Sequence, residues 1–486
     1  MQAHKNAKKM TIKAEEKTMF EKIRGFFMNI LNYFQKNKIE DLIGVDINIS
    51  SKMYKKITLW SDMMSGNAPW NAEAKPCGIL PQIAGRLNYF VTREIGLDVK
   101  NEAIKKPMDH LNKNIDKVIE FITLLGGGLL RPIYAQNKLQ YEIIPLGNYL
   151  PTQYDFDGTL TGAIILKQIV TAKKNYLLCE IHNYDGENHN VKMRLYENES
   201  GTFRGVPLTA CEQTAELTPE YSWNKCGKPM IIEFRNHTTN KIDGSNVPVA
   251  LIDDAIDLIE KADRQFSRMD WEQEAGEKRI FADRDMFTKH TSRNGDTDTV
   301  VLDKSLNKLI QKIDGDGSAN GEKIHEYSPE LRTTAQNEYL QQVFRRIELT
   351  LNIGKGTVSD AEAVQQTATQ YSGGRQELFA IVDKIEDEIA AKYEEVAEVF
   401  AYMAEAYGIK GAPAASHKTE ELYTIKWNDD QTRKDIQQAK QTALQEISAG
   451  VMNKWEYRRD FYGEDEAAAK ANVPPEPVAA SPFDLM

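Results

Sequence analysis

The chain has 486 residues, 41% of them apolar and 27% charged, which supplies a sizeable core and excludes a mostly disordered polypeptide. At about 150 residues per domain, this length predicts about three domains. Its 61 Lys and Arg against 72 Asp and Glu leave a net charge of −11. That excludes a protein gripping nucleic acid over its whole surface, since such a surface must replace counterions on phosphate.

Residues 1–18 are polar and Lys-rich and read as a loose terminus. Met19 to Phe34 is apolar, but Glu21, Lys22 and Arg24 interrupt it. It is too short and too charged for a membrane span or a signal peptide. Phe20, Ile23, Phe27, Ile30, Leu31 and Phe34 share one helical face, which predicts a helix packed on protein. Helical periodicity continues to about residue 125, with Met53, Ile57 and Trp60 on one stripe and Leu111, Ile115, Val118, Ile119 and Ile122 on another.

The pattern changes at Gly126-Gly127-Gly128. From there to about residue 235, β-branched and aromatic runs alternate with turns such as Asp157-Gly158, Asp185-Gly186 and Ser200-Gly201, predicting an antiparallel sheet region. Its runs are Ile133-Tyr134, Tyr141–Ile144, Ala163–Ile169, Tyr176–His182, Val191–Tyr196 and Met230–Phe234.

Pro248 then opens a predicted helix to Glu274, about 39 Å long at ~1.5 Å per residue. Leu251, Ile252, Ala255, Ile256, Ile259, Ala262, Phe266 and Met269 form its apolar stripe, and Asp253, Asp254, Asp257, Glu260, Lys261 and Arg264 its polar face. Residues 276–327 read as a small mixed insertion, with strands at Arg279–Ala282 and Thr299–Leu302, a short helix at Leu306–Ile313 and a glycine loop at Asp314–Gly321.

Ser328-Pro329-Glu330 signals a second long helix through Leu331, Ala335, Tyr339, Val343 and Ile347. It ends near Gly354-Lys355-Gly356, where glycines permit a reversal. A helical stretch from Ser359 breaks at Gly373-Gly374, and a third long helix runs from about Arg375 to Tyr407. Leu422–Trp427 reads as a strand, residues 429–449 and 452–472 as helices, and the tail from Val473, with four prolines, as disordered. The whole pattern predicts the α+β class.

The chemistry-bearing motifs are weak. Gly354-Lys355-Gly356-Thr357 lacks the earlier glycine of a phosphate loop and follows a helix rather than a strand. Asp314-Gly315-Asp316-Gly317 opens like a calcium loop, but its sixth and twelfth positions hold Ala319 and His325. His182, Asp185 and His189 flank a hairpin turn without a third strong metal ligand fixed by spacing, and read as surface residues. Cys77, Cys179, Cys211 and Cys226 form no CxxC pair and read as reduced thiols of a cytoplasmic protein. No nucleophile motif appears, so the chain reads as a non-enzyme without cofactor or metal. What stands out is two long helices bracketing an insertion, a column whose apolar stripe is hard to bury within one chain. Head-to-tail packing between copies would bury it and close a ring; a single decorated hairpin is the alternative.

Four segments, in order, resemble portal proteins of long-tailed phages of Gram-positive bacteria. They are Met53–Ile57 with Trp60, Asn148–Thr161 (NYLPTQYDFDGTLT), Ser359–Arg375 (SDAEAVQQTATQYSGGR) and the run from Leu444 through Gly463. The resemblance implies a portal-protein fold with helical stem, mixed α/β clip, α+β wing and helical crown. By position, residues 1–248 correspond to wing, 249–275 to a stem helix, 276–327 to the clip and 328–353 to the other stem helix. Residues 354–366 correspond to a tunnel loop facing DNA, 367–427 to wing, and 428–486 to crown and tail.

The implied role is a ring, usually of twelve subunits, at one capsid vertex of a virion assembled in the host cytoplasm. Double-stranded DNA passes through its channel in packaging and ejection. Its implied partners are the terminase large subunit, head-tail connector proteins, and the major capsid and scaffolding proteins, with no membrane. Gly354, Lys355, Gly356 and Thr357 then sit in the tunnel loop, with Lys355 a basic tip, and Asp253, Asp257, Glu260, Lys261 and Arg264 line the stem. A mostly acidic wall suits DNA that must slide without sticking. The competing readings are a non-conducting capsid or head-tail adaptor and, lacking any phosphate loop or metal cluster, a nuclease or NTPase.

Overall fold

The structure is a computed structural model and describes residues 36–171, 174–199, 202–283, 290–291, 297–298, 310–313, 324–360, 376–414, 418–427 and 436–473. It is a mixture of helices and several sheets, as the α+β reading expects. The apolar segment Met19–Phe34, the glycine loop Asp314–Gly321, the predicted strand at Thr299–Leu302, the segment 361–375 and the Pro-rich tail from residue 474 lie outside the described residues.

The N-terminal part is helical: α1 (Lys36–Ile43), α2 (Ser51–Met64), α3 (Ile79–Glu94), α4 (Glu102–Lys113) and α5 (Ile115–Leu125). Ser50 caps α2 by accepting the Met53 N–H at 3.1 Å, which satisfies one orphan donor of the first turn. The predicted stripe is real, for Met53, Ile57 and Trp60 are fully buried. The helical run is interrupted by β1 (Ile95–Val99), which periodicity alone missed; its partner, β16 (Tyr423–Trp427), lies far along the chain and pairs antiparallel with it.

Gly126 ends α5 in the left-handed region with φ +91°, and β2 (Gly127–Ala135) starts at once. β2 is the centre of a three-stranded sheet with β3 (Lys138–Pro145) and β10 (Ile232–Arg235). Beside it lies a six-stranded antiparallel sheet. Its order is β4 (Tyr149–Tyr154), β5 (Leu160–Val170), β6 (Asn175–Tyr184), β7 (His189–Glu199) and β8 (Thr202–Val206), with β9 (Glu220–Trp223) pairing the start of β7.

The long helix predicted from Pro248 starts later. Residues 253–255 form a 3-10 turn and the α-helix, α6, runs Ile256–Ala275. The delay has a cause, since the Asp253 side chain binds groups on α2 and the backbone at Pro248–Ala250 lies against Gly126. The insertion then forms β11 (Arg279–Asp283), β12 (His290–Thr291), β13 (Thr297–Asp298), β14 (Ile310–Ile313) and β15 (Ile324–Tyr327). The expected helix at Leu306–Ile313 is corrected: Ile310–Ile313 is a strand parallel to β11, so sheet pairing overrides a short helical pattern.

The second long helix, α7, runs Thr333–Leu351, starting five residues after the predicted cap because Arg332 is held by Glu272 instead. α8 (Gln376–Ala406) matches its expectation and threads the core, with Val382, Ile389, Tyr393, Val396 and Phe400 wholly buried. α9 (Thr419–Leu422) precedes β16. At the end come α10 (Ile436–Ser448), α11 (Lys454–Tyr462) and α12 (Glu466–Ala471), so the single helix expected over 452–472 is two, broken at Gly463 with φ +67°. No described helix is long and apolar enough to cross a membrane.

Candidate functional site

The antiparallel pair α6 and α7 forms a column whose two ends are fastened differently. At its root, two tryptophans of the N-terminal helical part hold it. The Asp253 carboxylate accepts Trp60 Nε1–H and Lys56 Nζ, both at 2.9 Å. Ten residues on, Asp263 accepts Trp70 Nε1–H at 2.9 Å and the Cys77 N–H at 2.8 Å. That carboxylate raises the Cys77 thiol, already pushed up by burial, to about 12. At the far end, Arg332 makes a two-pronged contact to Glu272 at 3.2 and 2.9 Å, and Gln336 donates to the same carboxylate. Leu331 sits against Gly276, where an added Cβ would come within 2.3 Å of it.

Asp253, placed on the polar face by periodicity, is thus corrected to a largely covered acceptor fixing the column. Asp257 and Lys261 are exposed, as expected. Glu260 and Arg264 pair at 2.8 Å, and Arg264 also reaches Glu73 at 2.7 Å.

The apolar stripes divide halfway along the column. Ile252, Ile256, Ile259 and Ala262 of the first helical segment, and Leu340, Val343 and Ile347 of α7, are buried. Beyond that point cover is lost. Trp271 is 69% exposed, Tyr327 45%, Tyr339 43% and Leu331 36%. Ala335 and Tyr339, four residues apart, share one face of α7. Trp271, Ala275, Phe281 and Tyr327, with Glu274 and Arg279, line an open cleft of about 540 Å³ where the column meets β11 and β15.

The loop after α7 is built more tightly than a free tunnel loop. Asn352, Gly354 and Gly356 have φ of +55°, +74° and +79°, which reverses the chain as the glycines predicted. Glu348, itself buried, then captures it, accepting the Val358 N–H at 2.7 Å, the Ser359 N–H at 2.8 Å and the Ser359 hydroxyl at 2.8 Å. Gln341, two turns back, accepts the Asp360 N–H at 2.8 Å. Of the predicted tip residues Gly354 is buried, Thr357 bonds the Ile353 carbonyl at 2.6 Å, and Lys355 is exposed. Residues 361–366 of the predicted loop lie outside the described residues. Replacing Glu348 by Ala strands three donors in the interior, and a loss of about 2–4 kcal/mol is expected. Hydrogen exchange at Val358 and Ser359 should accelerate by orders of magnitude more than at the column root; equal protection in the variant would refute the latch.

The His182, Asp185 and His189 trio is also corrected. Both histidines are buried rather than on the surface, and they bond each other at 2.9 Å. Asp185 remains in the turn, accepting the N–H groups of Glu187 and Asn188. Sequence reading missed the partner that makes this pairing sensible, Arg131 on β2, which binds Glu180 beside His182. Among the described residues no group of three or more His, Cys, Asp or Glu side chains could hold a metal ion.

No protein-family model matches the chain, and no curated protein matches it.

Proposed function

We propose that the chain is the subunit of a portal-type ring at one capsid vertex, a structural and non-catalytic channel for double-stranded DNA during packaging and ejection. In this reading α6 and α7 are the stem, residues 276–327 the clip, the sheets and α8 the wing, and residues 428–486 the crown. Terminase and head-tail connector proteins dock on it, and capsid and scaffolding proteins surround it. One observation carries the reading: the distal end of the column and the β15 connection beside it leave Trp271, Tyr327, Leu331 and Tyr339 open to water. An isolated two-helix column cannot cover these side chains, whereas identical head-to-tail neighbours cover them and close a ring. The four segments that resemble portal proteins, in portal order, support the same reading, and the net charge of −11 suits a wall along which DNA slides.

The test is the mass and symmetry of the purified chain by mass photometry and single-particle imaging across salt concentrations. Rings of about a dozen copies with an axial channel are expected, with high salt favouring closure by screening subunit repulsion. Trp271→Ser and Tyr339→Ser together should shift the population from rings to monomers by roughly a hundredfold in concentration, about 2–3 kcal/mol at each contact. A compact closed dimer would sink the channel reading and favour the non-conducting adaptor.

A further inference from the structure

Phe156 is 108% exposed, more than any other large apolar side chain among the described residues. It is not at the tip of a loose loop. The Asp155 N–H donates to the Thr159 carbonyl at 2.9 Å, and the Gly158 N–H to the Asp155 carbonyl at 3.0 Å. The Asp155 carboxylate accepts the Phe156 N–H at 2.7 Å, and that of Asp157 accepts the Thr159 N–H at 2.9 Å. From behind, Arg235 donates to the Gly158 carbonyl at 2.8 Å and anchors the turn on β10. The backbone that carries the ring is therefore fixed before any partner arrives, which lowers the ordering cost of binding.

Its surroundings are predominantly acidic. The β5–β6 register, Gly162 opposite Asn183, puts the 155–159 turn and the 185–188 turn at the same end of the sheet. Asp155, Asp157, Asp185 and Glu187 are all exposed there. Burial first, then the charges of Cys226, Asp185, Asp155 and Glu187, raise the Tyr184 phenol, which fits carboxylates of both turns being close to it. Of the cations nearby, Arg235 is bound to the Gly158 and Asn246 carbonyls and Lys392 to Glu395, while Lys225, whose N–H donates to Asn188 at 3.0 Å, is exposed beside the 185–188 turn and leaves four carboxylates against one exposed cation.

We infer that this end of the six-stranded sheet is a docking knob, with Phe156 inserting into an apolar pocket rimmed by Lys or Arg on a partner protein. An aromatic anchor placed centrally supplies affinity, and the acidic ring supplies orientation and on-rate. The site shares no residue with the α6–α7 column and does not rest on the ring reading.

The probe is a fluorescently labelled amphipathic peptide of Leu and Lys, titrated into the full chain and followed by anisotropy. Controls are polylysine and the same peptide with Glu in place of Lys. Saturable binding of the Leu–Lys peptide is expected, weakened roughly tenfold or more by Phe156→Ser. Asp155→Asn with Asp157→Asn should weaken it and flatten its salt dependence, and neither control peptide should show a Phe156-dependent signal. Phe156→Ser should melt as the wild type does, because the ring is exposed, and the Asp155→Asn, Asp157→Asn variant should stay folded, because each Asn keeps an acceptor oxygen for the Phe156 and Thr159 N–H groups. Binding unaffected by Phe156→Ser, equal binding of the Leu–Glu peptide, or no binding overturns the proposal. So does self-association that Phe156→Ser abolishes, which would make a second copy the occupant.

Discussion

Gly126→Ala should be the most damaging single-methyl addition at any described glycine. The residue has φ +91°, and a Cβ there would lie 2.6 Å from the Val249 carbonyl carbon, 2.8 Å from the Ala250 nitrogen and 2.9 Å from the Pro248 oxygen. All three are backbone atoms, so no rotamer change makes room. Left-handed strain contributes about 1–2 kcal/mol, and displacing the segment that leads into the 3-10 turn and α6 raises the total to roughly 4 kcal/mol or more. Against a usual stability of about 5–15 kcal/mol, that is enough to unfold much of the population. Gly186 provides the control: its φ is +102° with nothing within 4 Å of an added Cβ, so Gly186→Ala should cost only the strain. Urea denaturation of the two variants separates these contributions. Equal midpoints would show that the backbone between residues 248 and 250 can move, and that Gly126 serves only the turn.

That glycine also shows what was legible in the sequence. Three consecutive glycines between a 3.6-period stripe and a β-branched run mark the switch from helix to strand, and the chain switches there. The close approach of residues 248–250 was not legible, because they lie more than a hundred residues away. The same limit explains other differences. β1 is a strand through its pairing with β16, and Ile310–Ile313 through its pairing with β11. Both helices of the column start late because Asp253 and Arg332 serve distant partners, Trp60 and Glu272, rather than their own first turns. Local pattern specifies a helix well where its stripe is long, as in α8, and poorly where one side chain has a better distant use. For the candidate site, the apolar stripe of α7 was legible in part: Val343 and Ile347 are buried, together with Leu340 and Leu351, which the four-residue spacing passed over, whereas Leu331, Ala335 and Tyr339 are exposed. Its division into a buried half and an open half was not, since that depends on where the rest of the chain stops covering it.

Acid should destabilise the fold through the two sheets, by a route the histidine pair defines. The Met230 N–H donates to Nδ1 of His189 at 3.2 Å, so Nδ1 carries no proton and Nε2–H must be the donor. It donates to Nδ1 of His182 at 2.9 Å, and His182 in turn donates from Nε2 to Glu180 at 2.9 Å. Arg131, also bound to Glu142, closes the chain on the other Glu180 oxygen and ties the three-stranded sheet to the six-stranded one. Every bond runs one way with both rings neutral, and a proton added to His189 has no acceptor. Burial, then the neighbouring His182, push His189 down from 6.5 to about 3. Burial alone would raise Glu180, but Arg131 and His182 outweigh it and bring the carboxyl from 4.5 to about 2. The unfolded chain therefore binds more protons than the folded one, from about pH 6.5 downward for His189 and from about 4.5 downward for Glu180. Stability should be complete above pH 6.5 and fall by about 1.4 kcal/mol per pH unit as His189 protonates on unfolding, more steeply below 4.5. His189→Gln should lower stability at pH 7 yet remove the slope between pH 6 and 5. Glu180→Ala leaves the His182 donor and one Arg131 guanidinium nitrogen without an acceptor, with Glu142 still holding the other, and should cost about 3 kcal/mol at neutral pH. Denaturation midpoints measured from pH 7 to 4 decide the matter: a wild-type slope that persists in His189→Gln would place the acid-sensitive group elsewhere.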